Sequence, residues 1–177
     1  MKPQRTKVYF RLFLALSLVL MLGLPSLHVN AYTKLTYVDP ISGLEKTYVC
    51  YVLLEPVRPG SSESKVLASE CSQDSHKPSF DLHQQYLIAR YFDDTNFKNV
   101  LIYYYGPALC SSDISYAVKS LEEAYNNKFS SGSGYSGCNN ISVFDLTSFG
   151  GDSYSCFANC SSFGALNDRV SSWKITN

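Results

Sequence analysis

Apolar and polar residues alternate in short runs along this chain, and clusters of Gly, Ser, Asn and Asp separate the runs. "KLTYV", "KTYVCYVLLE", "QYLIARYF", "NVLIYYYG", "NISVFDL" and "RVSSWKI" are each rich in β-branched or aromatic residues. Runs of this length between turn residues predict an all-β fold of sandwich type. Within "NVLIYYYG" a strand sets Tyr103 and Tyr105 on one face, where core packing is the expected role and a ligand surface the alternative. One segment departs from the pattern. "SDISYAVKSLEEAYNNK" opens on possible caps, Ser112 and Asp113, and spaces Ile114, Val118, Leu121 and Tyr125 as on a helix. That spacing predicts a short helix over about 114–125.

The stretches "PVRPGSSESK" (56–65) and "SQDSHKPS" (72–79) read as loops or linkers. Segment 32–85 is therefore expected to be a small β-hairpin extension, with Cys50 and Cys71 placed to staple it. The main domain is expected over 86–177.

Charge and compartment follow from the first residues. Lys2, Arg5, Lys7 and Arg11 precede the apolar run "LFLALSLVLMLGLP", and "HVNA" offers Val29 and Ala31 at the −3 and −1 positions. The pattern predicts a secretory signal peptide over 1–31, cleaved before Tyr32. The apolar run, at about 14 residues, is shorter than the roughly 20 of a spanning helix. The expected product is secreted, holds to no membrane after cleavage, and is a monomer. Four of the 15 basic residues lie in the leader, leaving 11 against 15 acidic and a net charge of about −4. That balance argues against nucleic acid and mildly for cations.

Six cysteines, Cys50, Cys71, Cys110, Cys138, Cys156 and Cys160, lie beyond the leader. An even number in an exported chain reads as disulfides. Fifteen pairings are possible and the sequence does not choose among them; the expectation is 50–71, 110–138 and 156–160. Zinc at Cys156-x-x-x-Cys160 lacks a second ligand pair nearby, His76 and His83 being distant in sequence.

The most informative feature is an internal repeat. "FDDTNFKN" (92–99) and "FDLTSFGG" (144–151) both read aromatic, Asp, three residues, aromatic, then a turn residue two places on. Cys-Ser-Ser follows each, at 110–112 and 160–162. Each copy then ends in a matching hexapeptide, "NNKFSS" (126–131) or "NDRVSS" (167–172). From second aromatic to hexapeptide is 29 residues in the first copy and 18 in the second. The extra length falls around "YYYGPAL" and the expected helix, where loops tolerate insertion.

Aromatic-x4-aromatic-x-Gly followed by N/D-N/D-x-x-S/T-S resembles the βγ-crystallin superfamily, above all its microbial calcium-binding members. The resemblance covers about 87–177. It implies one sandwich of two Greek keys, 86–138 and 139–177, with pseudo-twofold symmetry and two calcium sites; the helix expected from the apolar spacing is then an insertion in the first key. One departure stands out: Gly151 keeps the family glycine, whereas the first copy has Asn99. Asn tolerates φ > 0 best among residues with side chains, so the turn is expected to survive.

Calcium takes six to eight oxygens from carboxylates, amides, carbonyls and water, and the hexapeptides are rich in them. By resemblance, the ligands are side-chain oxygens of Asn126 or Asn127 and of Asn167 or Asp168, the hydroxyls of Ser130 and Ser171, and the carbonyls of Lys128 and Arg169. A carbonyl from the residue after each first aromatic, Asp93 and Asp145, completes the set. Lys128 and Arg169 are expected to turn their charges to solvent. With Asp168 the lone hexapeptide carboxylate, binding is expected to be weak, about 10⁻⁵ to 10⁻³ M, and tighter at the second hexapeptide. The alternative is that these Asn, Asp and Ser residues only build turns.

Other motifs carry less. Gly132-x-Gly134-x-x-Gly137 matches a dinucleotide fingerprint, but the βαβ setting is missing, and a flexible linker between the keys is the expected role. No serine elbow is present, disulfides leave no free thiol, and the adjacent carboxylates Asp93-Asp94 and Glu122-Glu123 read as solvated pairs. An enzyme is not expected. Asn140-Ile-Ser and Asn159-Cys-Ser fit the glycosylation pattern. The runner-up is a secreted peptidase inhibitor: "SYSCFANCSSFG" is similar to bacterial metalloproteinase inhibitors of crystallin-like fold, with an extracellular metalloprotease as partner.

Overall fold

The computed structural model describes residues 36–38, 45–73 and 78–177, all within one compact unit, Thr33–Asn177. The expected signal peptide and His76 lie outside the described residues. Eleven strands follow in order: β1 (Thr36–Val38), β2 (Glu45–Leu54), β3 (Val66–Gln73), β4 (Tyr86–Phe92), β5 (Val100–Gly106), β6 (Tyr116–Val118), β7 (Ser131–Gly134), β8 (Asn140–Phe144), β9 (Ser153–Phe157), β10 (Asn159–Cys160) and β11 (Ser172–Thr176). Short 3-10 turns cover Thr147–Phe149 and Gly164–Leu166. The fold is all-β, as the runs predict, in two sheets. No helix among the described residues is long and apolar enough to cross a membrane.

The first sheet runs β1-β2-β5-β4-β7-β10, with β3 paired to β2; the second runs β6-β11-β8-β9. The two repeats exchange a strand. β6, from the first, lies in the sheet built by the second, and β10 does the converse. All pairings are antiparallel except β2 with β5, which run parallel with Cys50 beside Ile102 and Leu53 beside Tyr105. Segment 45–73 is thus joined to the main sheet by backbone hydrogen bonds, and Cys50, Val52 and Leu54 share the core with Ile102 and Tyr104.

The core is aromatic. Trp173, Tyr91, Tyr116, Phe129 and Phe163 are wholly buried. Tyr91 stacks on Phe129 at 4.5 Å and meets Trp173 at 5.4 Å, while Tyr104 meets Trp173 edge-on at 4.7 Å. These rings come from both repeats, so both sheets draw on one hydrophobic interior. Tyr103 and Tyr105 do share a face of β5, but not the core face expected of them: both are half-buried opposite Ile102 and Tyr104, and Tyr103 stacks on Tyr51 at 5.1 Å.

The helix expected over 114–125 is not there. Tyr116–Val118 is a strand, paired to β11 with Trp173 beside Val118. Its other edge is occupied too, since Ser64 N–H donates to the Ala117 carbonyl at 2.8 Å. Tyr116 and Ala117 are both buried; these backbone pairings outweigh the helical spacing of the apolar residues. A single turn remains, where the N–H groups of Tyr125 and Asn126 both donate to the Glu122 carbonyl at 2.9 Å.

"GSG" at 132–134 is also not a flexible linker. It lies in β7, between β4 and β10. A Cβ on Gly132 would stand 2.9 Å from the Tyr91 ring, and one on Gly134 2.0 Å from the Cys138 carbonyl oxygen. These glycines are packing residues of the core.

The disulfides are Cys50–Cys71, Cys110–Cys138 and Cys156–Cys160. Cys50 and Cys71 face each other across β2 and β3, and the Tyr125 hydroxyl lies against both sulfurs.

Candidate functional site

The two aromatic hairpins fold alike. In the first, Phe92 and Phe97 meet edge-on at 5.7 Å; in the second, Phe144 and Phe149 do the same at 5.7 Å. Left-handed backbone recurs at matching places: Asn96 and Ser148 (φ 58° and 57°), Phe97 and Phe149 (60° and 63°), Asn99 and Gly151 (55° and 75°). Asn99 does take the left-handed turn, and its side-chain amide donates to Asp94 Oδ2. At Gly151 a Cβ would fall 2.0 Å from Asp145 Oδ1, so the bare glycine makes room for that carboxylate.

Each hexapeptide is tied to its own hairpin in the same manner. Ser130 N–H donates to the Phe92 carbonyl at 2.9 Å, and Ser171 N–H to that of Phe144 at 2.8 Å. The last serine of each hexapeptide bridges the hairpin through its hydroxyl. Ser131 Oγ donates to the Asp94 carbonyl at 2.5 Å and accepts from Phe97 N–H at 3.1 Å. Ser172 Oγ donates to the Leu146 carbonyl at 2.6 Å and accepts from Phe149 N–H at 3.1 Å. Ser131 and Ser172 are wholly buried, and hydrogen bonding at both ends of the hydroxyl makes such burial tolerable. The sequence reading passed over both serines, although their recurrence at position six was the available signal.

The hexapeptides also bind each other. Asn127 N–H donates to the Val170 carbonyl at 2.9 Å, and Asp168 N–H to that of Phe129 at 3.2 Å. Position two of each copy thus bonds position four of the other, an approximate twofold relation. Asn127 and Asp168 are left-handed (φ 60° and 56°), a conformation that Asn and Asp enter more readily than most residues. Reciprocity extends to a side chain in one half. Ser130 Oγ donates to Asp168 Oδ1 at 2.8 Å.

That bond regroups the expected ligands. Asp168 lies against Ser130 of the first hexapeptide, not Ser171 of its own, because the antiparallel arrangement carries position two across the interface. Ser171 is itself buried. Arg169 is corrected as well: its guanidinium donates to Asp145 Oδ2 at 2.7 Å, lies 3.4 Å from Asp152, and also reaches the Ala165 carbonyl at 3.2 Å. Half-exposed though it is, Arg169 turns its charge onto Asp145 rather than into solvent. Asp152 was missed, since it lies one residue past the aromatic hairpin.

The first-position asparagines differ. Asn167 Oδ1 accepts from Phe163 N–H at 2.9 Å and Ser162 Oγ at 3.1 Å, closing the turn before its hexapeptide. Asn126 Oδ1 is buried without a hydrogen-bond partner, as is Asp145 Oδ1. A buried oxygen left unpaired costs about 1–3 kcal/mol. Asp93, whose N–H donates to the Asn99 carbonyl at 2.9 Å, and Lys128, whose N–H donates to that of Tyr125 at 3.2 Å, hold the matching places in the first half.

The donor set around the hexapeptides is therefore all oxygen: a carboxylate, hydroxyls, an amide and backbone carbonyls. Among the described residues no group of three or more His, Cys, Asp or Glu is placed to hold a metal ion. Oxygen-only donors suit a hard cation. No protein-family model, curated protein or solved structure matches the chain.

Proposed function

We propose that this protein is a secreted, non-enzymatic calcium-binding protein of βγ-crystallin type. In this reading each repeat is a Greek key, and the exchange of β6 and β10 between sheets is what two such keys packed as one sandwich require. The observation that carries the reading is the hydrogen bond between Asp168 Oδ1 and Ser130 Oγ across the paired hexapeptides. It sets a carboxylate and a hydroxyl from different keys side by side, as two ligands of one cation would lie.

Asn126 Oδ1 and Asp145 Oδ1, buried and unpartnered, are further oxygens that a cation would satisfy. Asp168, Ser130, Asn126 and the Lys128 carbonyl would form one group; Asn127, Ser171, Asp145 and the Arg169 carbonyl the other, with Asn167 committed to its turn. Calcium, when bound, supplies a positive centre that draws these oxygens together and locks the hexapeptides. The Asp168 group should bind more tightly, because Arg169 already offsets the charge of Asp145 in the other. Affinities of about 10⁻⁵ to 10⁻³ M are expected from so few carboxylates. At calcium 100-fold above Kd, linkage adds about 2.7 kcal/mol of stability. Calorimetric titration tests the reading, with thermal melts in calcium and in chelator. Heat of binding and a raised Tm are expected; no heat and no shift at millimolar calcium would overturn it.

A second reading has one observation in its favour. Cys156–Cys160 closes a five-residue loop on which Phe157 is 69% exposed, and a preorganised loop with an aromatic tip suits a peptidase inhibitor. Stoichiometric inhibition of a thermolysin-like metalloprotease, lost in Phe157→Ala, would support it.

A further inference from the structure

The approximate twofold makes β5 and β9 counterparts: each is the second strand of its repeat's hairpin, paired on one side to the first strand. Their outer edges are treated differently. That of β5 is filled by β2, which runs parallel to it over Cys50–Leu53. That of β9 is the end of its sheet, and no strand pairs with it among the described residues.

Open edges in natural sheets are usually blunted by charge, proline, a bulge or a covering segment. β9 has none of the first three. "SYSCF" carries no charge and no proline, and all five residues pair with β8 in unbroken register, Asn140 beside Phe157 through Phe144 beside Ser153. Ser153, Tyr154 and Ser155 are exposed, with Phe157 the most exposed large apolar side chain among the described residues. Nor is the strand loose. Tyr154 packs edge-on against Phe163 at 6.2 Å, and Cys156 is tied to Cys160.

We propose that β9 is an association edge, and that its occupant is β9 of a second copy, paired antiparallel about Ser155. The strand is complementary to itself. Centred on Ser155, the pairing sets Tyr154 opposite Cys156 and Ser153 opposite Phe157 of the other copy. Asp152 then faces Ala158, so no like charges oppose. The result is an isologous dimer with one continuous eight-stranded sheet, the symmetric solution for a neutral edge. β2 on β5 is the precedent within the same molecule that such an edge takes an added strand. The inference revises the monomer expected from sequence and stands whether or not calcium binds.

Ser155 points to the outer face, where its hydroxyl meets that of Ser142 at 2.8 Å, so a longer side chain there leaves the core untouched. Sedimentation equilibrium of the oxidised chain from Thr33 onward is the test, over about 1–200 µM. A dimer mass is expected, with slower amide exchange in 153–157 as concentration rises. Ser155→Lys should return the monomer by setting like charges opposite, as should Ser155→Glu, and their equimolar mixture should restore the dimer. A monomer mass throughout would overturn the proposal, and so would a dimer that Ser155→Lys leaves intact. A monomer that dimerises only when the chain starts at Glu45 would show instead that the chain's own leading segment covers the edge, which also overturns it.

Discussion

In the first repeat the hairpin turn is held by Asn99, whose amide reaches Asp94; in the second the matching turn is Gly151, whose missing Cβ leaves room for Asp145 beneath Arg169. One backbone conformation is thus kept by two chemistries. The first repeat stabilises its turn within the loop. The second frees its loop to hold a carboxylate and a guanidinium next to the paired hexapeptides. The twofold is a property of the backbone, and the side chains laid over it have diverged toward different tasks.

The comparison breaks most sharply at the disulfides. Cys110–Cys138 spans 28 residues of the first repeat, and Cys156–Cys160 spans 4 in the second. By chain entropy the first should contribute about 3–4 kcal/mol and the second about 2 kcal/mol. Paired Cys→Ala variants compared by urea unfolding check this; equal losses would show that strain or denatured-state structure decides. Next in size are exchanges at the hairpin turn. Gly151→Asn should cost about 1–3 kcal/mol, because a Cβ there displaces Asp145 from Arg169, while Asn99→Gly should be nearly neutral. Thermal melts that found the two substitutions alike would dissolve the distinction between the loops.

Calcium sharpens the same contrast more gently. Asp168→Asn should weaken the tighter site about tenfold, near 1.4 kcal/mol, and Asn127→Asp should strengthen the other by a similar factor. Calorimetry on both variants reads this out, and a response confined to neither would leave the hexapeptides as turns alone.

The smallest expected effect belongs to the first repeat alone. Burial raises the hydroxyl pKa of Tyr104 and Tyr125 above the ordinary 10.0, and that of Tyr91 well above it. A folded pKa above the unfolded one means that the folded state holds the proton longer. The contribution is full below about pH 10 and falls as pH rises beyond it. Tm should be flat toward pH 9 and drop above 10, and absorbance should show these phenols silent until unfolding.

Much of this fold was legible because strands announce themselves locally. The six β-prone runs fall on β1, β2, β4, β5, β8 and β11, though β3, eight residues long, was not among them; the matched hairpins and hexapeptides recur in structure as in sequence. The lost elements were decided at long range. Ile114, Val118, Leu121 and Tyr125 lie at helical spacing, yet Ser64 and β11 claim the backbone around Ala117 from both sides. Gly132 looked like part of a linker because the Tyr91 and Phe163 rings that crowd it come from elsewhere in the sequence. The cross-pairing of Asp168 with Ser130 was invisible for the same reason. A repeat tells which residues are alike, and only the twofold tells which of them meet.

The exchange of β6 and β10 between the sheets has a consequence in time. β11 sits between β6 and β8, so the second sheet has no middle until residues 172–176 have been made. The first sheet likewise waits for β10 to finish its border. Neither half can therefore serve as a seed for the other, and the chain must close loops of more than fifty residues before its interior is dry. Folding dominated by such distant pairings runs on the order of milliseconds to seconds, in one cooperative event rather than half by half. In this molecule symmetry and haste exclude each other.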